Sequence, residues 1–95
     1  MEIYKDNYEI SRSITIELDS ESFYFCSYDS GNGFEEEKII TVEDIASLKK
    51  AMNAKSDDEL LNRIKAKFSK VNGVEPFFNY LEKRSVDVLY HCFTK

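Results

Sequence analysis

Proline occurs once and glycine three times in the 95 residues, a scarcity that excludes Pro- or Gly-rich linkers and low-complexity segments. The two cysteines, Cys26 and Cys92, share no CxxC-like spacing. A disulfide framework is thereby set aside, and reduced thiols in a reducing compartment are expected. His91 is the one histidine, so a catalytic dyad or a zinc site must use it or do without. No stretch approaches the roughly 20 apolar residues that span a bilayer. The opening segment MEIYKDNYEI is charged and lacks the apolar run of a signal peptide. These absences predict a cytoplasmic protein with no membrane partner.

What is abundant is apolar and aromatic. The chain is 42% hydrophobic, with seven Phe and six Tyr, enough to exclude disorder. Its length fits one domain over residues 1–95, since a core of this size buries roughly two-thirds of the surface of its unfolded chain. The net charge of −5 argues against nucleic-acid binding by the whole surface. The charge is also unevenly distributed. Residues 1–45 hold Lys5, Arg12 and Lys38 against twelve carboxylates, a net of −9, and residues 46–95 hold ten basic against six acidic side chains, a net of +4.

From Tyr8 to Leu18 the even positions Tyr8, Ile10, Ile14, Ile16 and Leu18 are apolar and the odd ones polar, interrupted only by Arg12. This period of two predicts a half-buried strand, and the turn formers of DSES at 19–22 predict a hairpin into FYFCSY. That second run is apolar on both faces, with Phe23 and Phe25 on one and Tyr24, Cys26 and Tyr28 on the other, as a central strand requires. SGNG at 30–33 permits positive φ and reverses the chain, and a third strand follows near Glu36–Thr41. Thr41 and Asp44 have capping-box spacing ahead of a helix with Val42, Ile45, Leu48 and Met52, running to about Ala54. Ser56 and Glu59 repeat the cap before a second helix striped by Leu60, Leu61, Ile64, Phe68 and Val71, which stops at Asn72-Gly73. Pro76 suits the first turn of a third helix carrying Phe77, Phe78 and Leu81. Residues 85–93 fit either a helical stripe through Val88, Leu89 and Cys92 or an alternating strand, and the helix is preferred. The expected fold is α+β: an N-terminal three-stranded antiparallel meander followed by two to three helices packed on one face.

No motif carries chemistry. A calcium loop starting at Asp29 needs ligands at its third, fifth and twelfth positions, where the chain has Gly31, Gly33 and Ile40. GNG lacks a following GK[ST] and a helix start, so it cradles no phosphate. A hairpin turn accounts for it. His91 and Cys92 diverge by about 100° on a helix or onto opposite faces of a strand, which disfavours a shared metal, and a Cys26–His91 dyad requires the fold to bring the two together. Arg63, Lys67 and Lys70 share a stripe of the second helix. Glu59 at i, i+4 to Arg63, and lysines near a helix C-terminus, explain that stripe as a solvated face. Neither cofactor nor metal nor catalysis is expected.

Asp57, Asp58 and Glu59 offset the positive end of a helix dipole, but Glu35, Glu36 and Glu37 cap no helix, and like charges close together on a strand gain nothing from their own fold. If helices cover one sheet face, Tyr24 and Tyr28 stand on the other unless the C-terminal segment covers them. Tyrosines beside carboxylates suit an interface with a basic protein, the rings giving buried area and the acids steering. The candidate partner-binding set is Tyr24, Tyr28, Asp29, Asn32, Phe34, Glu35, Glu36 and Glu37.

The segment FYFCSYDSGNGFEEEKII, within a small acidic α+β chain without catalytic residues, resembles the immunity proteins of bacterial contact-dependent growth inhibition systems. The resemblance covers the whole chain by size, charge and architecture, and no family motif transfers residue by residue. It implies an inhibitor that binds the toxic domain of a cognate toxin, often a nuclease, and blocks its basic cleft without touching nucleic acid itself. The alternatives are an anti-restriction or anti-CRISPR inhibitor, a small nucleic-acid-binding regulator using the basic helix 57–71, and a small enzyme dependent on His91. The sequence leaves the oligomeric state open.

Overall fold

The computed structural model describes residues 1–7, 10–31, 33–70 and 73–94. Its elements run β1 (Glu2–Asn7), β2 (Ser11–Leu18), β3 (Phe23–Gly31), β4 (Phe34–Val42), α1 (Ile45–Ala51), α2 (Asp57–Phe68), α3 (Val74–Lys83) and β5 (Leu89–Thr94). The strands form one antiparallel sheet in the order β1-β2-β3-β4-β5, and the three helices cover one of its faces. The α+β class and the central meander agree with the sequence. The expectation of three strands does not, because β1 adds to one edge and β5 to the other.

Each addition has a physical reason. β1 is short, charged and shifted in register between Glu2 and Tyr4, so no clean alternation announced it. The preferred helix over 85–93 is replaced by β5. After α3, Ser85 takes a positive φ of 58° and turns the chain back. β4 would otherwise leave an unpaired ladder, and residues 89–94 satisfy it through pairs from Thr41↔Leu89 to Glu36↔Thr94.

The β2–β3 turn is closed by Asp19, whose carboxylate accepts from the backbone N–H groups of Glu21 and Ser22 at 2.8 and 2.7 Å. Thr41 does not cap α1; it continues β4, opposite Tyr24 on one side and Leu89 on the other. Asp44 takes the cap instead, accepting from the Ser47 N–H at 3.1 Å. Ser56 caps α2 as expected, accepting from the Glu59 N–H at 3.1 Å. α2 ends at Phe68, before the expected Asn72-Gly73 stop, and Gly73, at a φ of −61°, is the N-cap of α3 instead; Val71 of the expected stripe and Asn72, like Tyr8 and Glu9 of the expected first strand, lie outside the described residues. α1 ends at Ala51, short of Ala54.

The core lies between sheet and helices. Ile14 and Ile16 of β2, Phe23 and Phe25 of β3, and Ile40 and Val42 of β4 face Leu48, Leu60, Ile64, Phe77 and Leu81, all buried. Phe77 is central: its ring stacks on Phe25 at 4.6 Å and meets Phe23 at 5.8 Å and Phe68 at 5.1 Å. Burial of each such side chain contributes about 1.5–3 kcal/mol. Arg12, the break in the β2 pattern, does point to this face. Asp29 stands opposite it on β3 and accepts from its Nε and Nη2, both at 2.6 Å. The bidentate pair lets a charged residue occupy an inward position.

Candidate interface on the uncovered sheet face

The pleat of β3 sends Phe23, Phe25, Ser27 and Asp29 inward and Tyr24, Cys26 and Tyr28 outward. Register then lays out the outward face in rows. Ser13, Tyr28, Glu37 and Phe93 form one row across β2 to β5; Thr15, Cys26, Ile39 and His91 form the next; Glu17, Tyr24, Thr41 and Leu89 form a third. Ser30 and Glu35 continue the pattern toward the β3–β4 turn. The C-terminal segment extends the sheet edge and does not lie over Tyr24 and Tyr28. Tyr28 is therefore 40% exposed, and Tyr24 is half-buried among its row neighbours.

The three consecutive glutamates do not act together. Alternation puts Glu35 and Glu37 on the outward face and Glu36 on the other, where Lys38 Nζ lies 3.3 Å from its Oε1. Tyr28, Glu35, Glu37 and Phe93, with Glu36 at the wall, line an open recess of about 290 Å³. Partial desolvation, reinforced by the Glu35 and Glu37 carboxylates, pushes the Tyr28 phenol above its ordinary range, so it stays a neutral hydrogen-bonding group. Phe93, 54% exposed, forms the far wall and stacks with His91 at 6.2 Å.

Besides Glu36, two of the expected site residues belong to the helix-covered face. Asp29 faces inward, is buried, and is held by Arg12, so it is a structural residue of the sheet. Phe34 opens β4 opposite Gly31, half-buried and in phase with the inward positions. Asn32 lies outside the described residues. Sequence reasoning missed Phe93, His91 and Leu89, which β5 delivers to the outward face. The alternation of Leu89, His91 and Phe93 with Tyr90, Cys92 and Thr94 was the available signal, overridden by the helical reading.

The fold also bears on the other candidate chemistries. Cys26 and His91 share a row and a face, but Ile39 stands between them. Two strand spacings, about 10 Å, separate their backbones, too far for direct proton transfer in this arrangement. Burial, with Glu37 and Glu17 nearby, raises the Cys26 thiol above its ordinary value, the opposite of what a nucleophile needs. Cys26 and Cys92 are both free and point to opposite faces. Among the described residues no group of three or more His, Cys, Asp or Glu side chains comes together to hold a metal, and no helix is long and apolar enough to cross a membrane.

On α2 the basic stripe is engaged within the chain. Arg63 donates to Glu59 at 3.0 and 3.1 Å, and Lys67 sits 4.4 Å from the centre of the Tyr80 ring, which Arg84 also contacts at 3.5 Å. Lys70 is exposed. Comparison with protein-family models, with curated proteins and with solved structures finds no match for this chain.

Proposed function

We propose that the chain is an immunity-type inhibitor, not an enzyme, that binds the basic active-site cleft of a cognate toxin domain, a nuclease, through the outward sheet face. The observation that supports this most is the row Tyr28–Glu37–Phe93 with Glu35 beside it. Two exposed aromatic rings flank carboxylates on a face that no other element of the described chain covers. Rings of this kind supply the buried area of an interface, and acids at its rim steer a cationic partner and set its orientation. The carboxylates would stand where the toxin holds phosphates, and the rings would exclude water. A regulator built on α2 is less well supported, because Arg63 and Lys67 already have partners on their own chain.

The test is capture of the partner from the native host's lysate with the tagged chain, followed by titration of the captured protein's nuclease activity. Stoichiometric loss of that activity, abolished by combined Glu35→Lys and Glu37→Lys, is the expected result. Mobility shift of random-sequence DNA or RNA by the chain alone, lost on combined Arg63→Ala, Lys67→Ala and Lys70→Ala, would overturn the inhibitor reading in favour of the regulator.

A further inference from the structure

The two edges of the sheet are built differently. β1 carries Glu2, Lys5 and Asp6 and a register irregularity between Glu2 and Tyr4, the devices that keep an edge from pairing with another chain. β5 has none of them. Its six residues LYHCFT contain no Asp, Glu, Lys, Arg or Pro, all six are exposed, and among the described residues the strand is hydrogen-bonded on one side only, to β4. Leu89 is 49% exposed and Tyr90 42%. We propose that this edge pairs with a second copy of the chain, β5 antiparallel to β5 about a two-fold axis at His91, to give a continuous ten-stranded sheet.

Pairing rules select the register. Residues facing each other across an antiparallel ladder both direct their backbone groups toward the partner or both away, so a two-fold axis must pass through a residue paired with itself. An axis at His91 sets Leu89 against Phe93 of the second copy, twice, and Tyr90 against Cys92. Leu89 and Phe93, the more exposed of the strand's large hydrophobic side chains, thus cover each other as an aromatic–aliphatic cross-strand pair. The row Tyr28–Glu37–Phe93 then runs on into Leu89, Thr41 and Tyr24 of the second copy, and no carboxylate row meets its own image. A second copy suits this edge better than a cationic strand, because Leu89–Thr94 offers no carboxylate to bind one.

One six-residue strand supplies few of the roughly 20–30 residues a side that a standard interface uses, and each chain brings a net charge of −5. The dimer is therefore weak, and it strengthens as salt screens the repulsion. Binding of a basic toxin has the opposite salt dependence, so the two associations are separately testable. Sedimentation equilibrium of the whole chain from about 10 µM to about 1 mM, at about 20 and 300 mM salt, should show a dimer fraction that rises with both. Leu89→Lys, with its fold checked by circular dichroism, should remain monomeric throughout. For the register, His91→Cys in a Cys26→Ser, Cys92→Ser background should form an intermolecular disulfide faster than Cys92 does in Cys26→Ser, because only position 91 faces its own copy. A monomer at every concentration and salt, or a dimer that survives Leu89→Lys, overturns the proposal. Faster linking through Cys92 overturns the axis at His91.

Discussion

Phe77→Ala and Tyr28→Ala remove aromatic rings from opposite faces of the same sheet, and the fold predicts very different costs. Phe77 is fully buried and touches three other rings at 4.6, 5.1 and 5.8 Å. Truncation of a buried phenylalanine to alanine costs about 3–5 kcal/mol through lost transfer free energy and the cavity left behind. Ring pairs add about 0.5–1.5 kcal/mol beyond area, which places this site at the upper end, about 4–5 kcal/mol. A chain of this length has a total stability of roughly 5–14 kcal/mol, so the variant sits near the edge of folding. Its thermal midpoint should drop by roughly 15–30 °C. Tyr28 is part of no core cluster, and its removal should cost less than about 1 kcal/mol. Urea unfolding followed by far-UV circular dichroism, with unchanged m-values, reads both. A cost below about 1.5 kcal/mol for Phe77→Ala, or equal costs for the two variants, would refute the assignment of the helix-covered face as the core and the tyrosine face as free surface.

Once a basic partner is in hand, combined Glu35→Lys and Glu37→Lys should slow association at least about tenfold at low salt, while Glu36→Lys, on the other face, should change it by less than about threefold; stopped-flow binding measures both. With a thiol reagent at pH 8, the exposed Cys92 should react well before Cys26, whose thiol is half-buried and held protonated to higher pH by burial and by Glu37 and Glu17; equal rates by mass spectrometry would contradict this. Asp19 and Asp44 are held below the usual carboxylate range, Asp19 by the Glu21 and Ser22 N–H groups and Asp44 by the Ser47 hydroxyl and N–H. A lowered folded-state value contributes stability above the ordinary carboxylate range that is lost as pH falls through the folded value. Below about pH 4, the urea midpoint should therefore fall less steeply in Asp19→Asn, Asp44→Asn than in the parent chain.

The central meander and the helices α2 and α3 were legible because their signals are local. Period-two alternation in β2, the Ser56 cap and the stripe Leu60, Ile64, Phe68 each sit within a few residues, and the structure keeps them. What was misread depends on partners distant in sequence. The run LYHCFT fits an alternating strand and a helical stripe alike, and it becomes a strand because β4 offers an unpaired ladder some fifty residues earlier in the chain. The same holds for charge. Glu35, Glu36 and Glu37 form one acidic block in the sequence, but the pleat divides them between two faces, and Asp29, expected to meet a partner, is engaged by Arg12 instead. The clue to that pair was present as two anomalies, a basic residue in an apolar phase and an acid on the phase of Phe23 and Phe25. Each looks like an irregularity alone, and only the β2–β3 register, which places Arg12 opposite Asp29, makes each the explanation of the other. An inward charge in a strand pattern is thus a reason to look for its opposite on the neighbouring strand in the same phase, before assigning either residue to a surface.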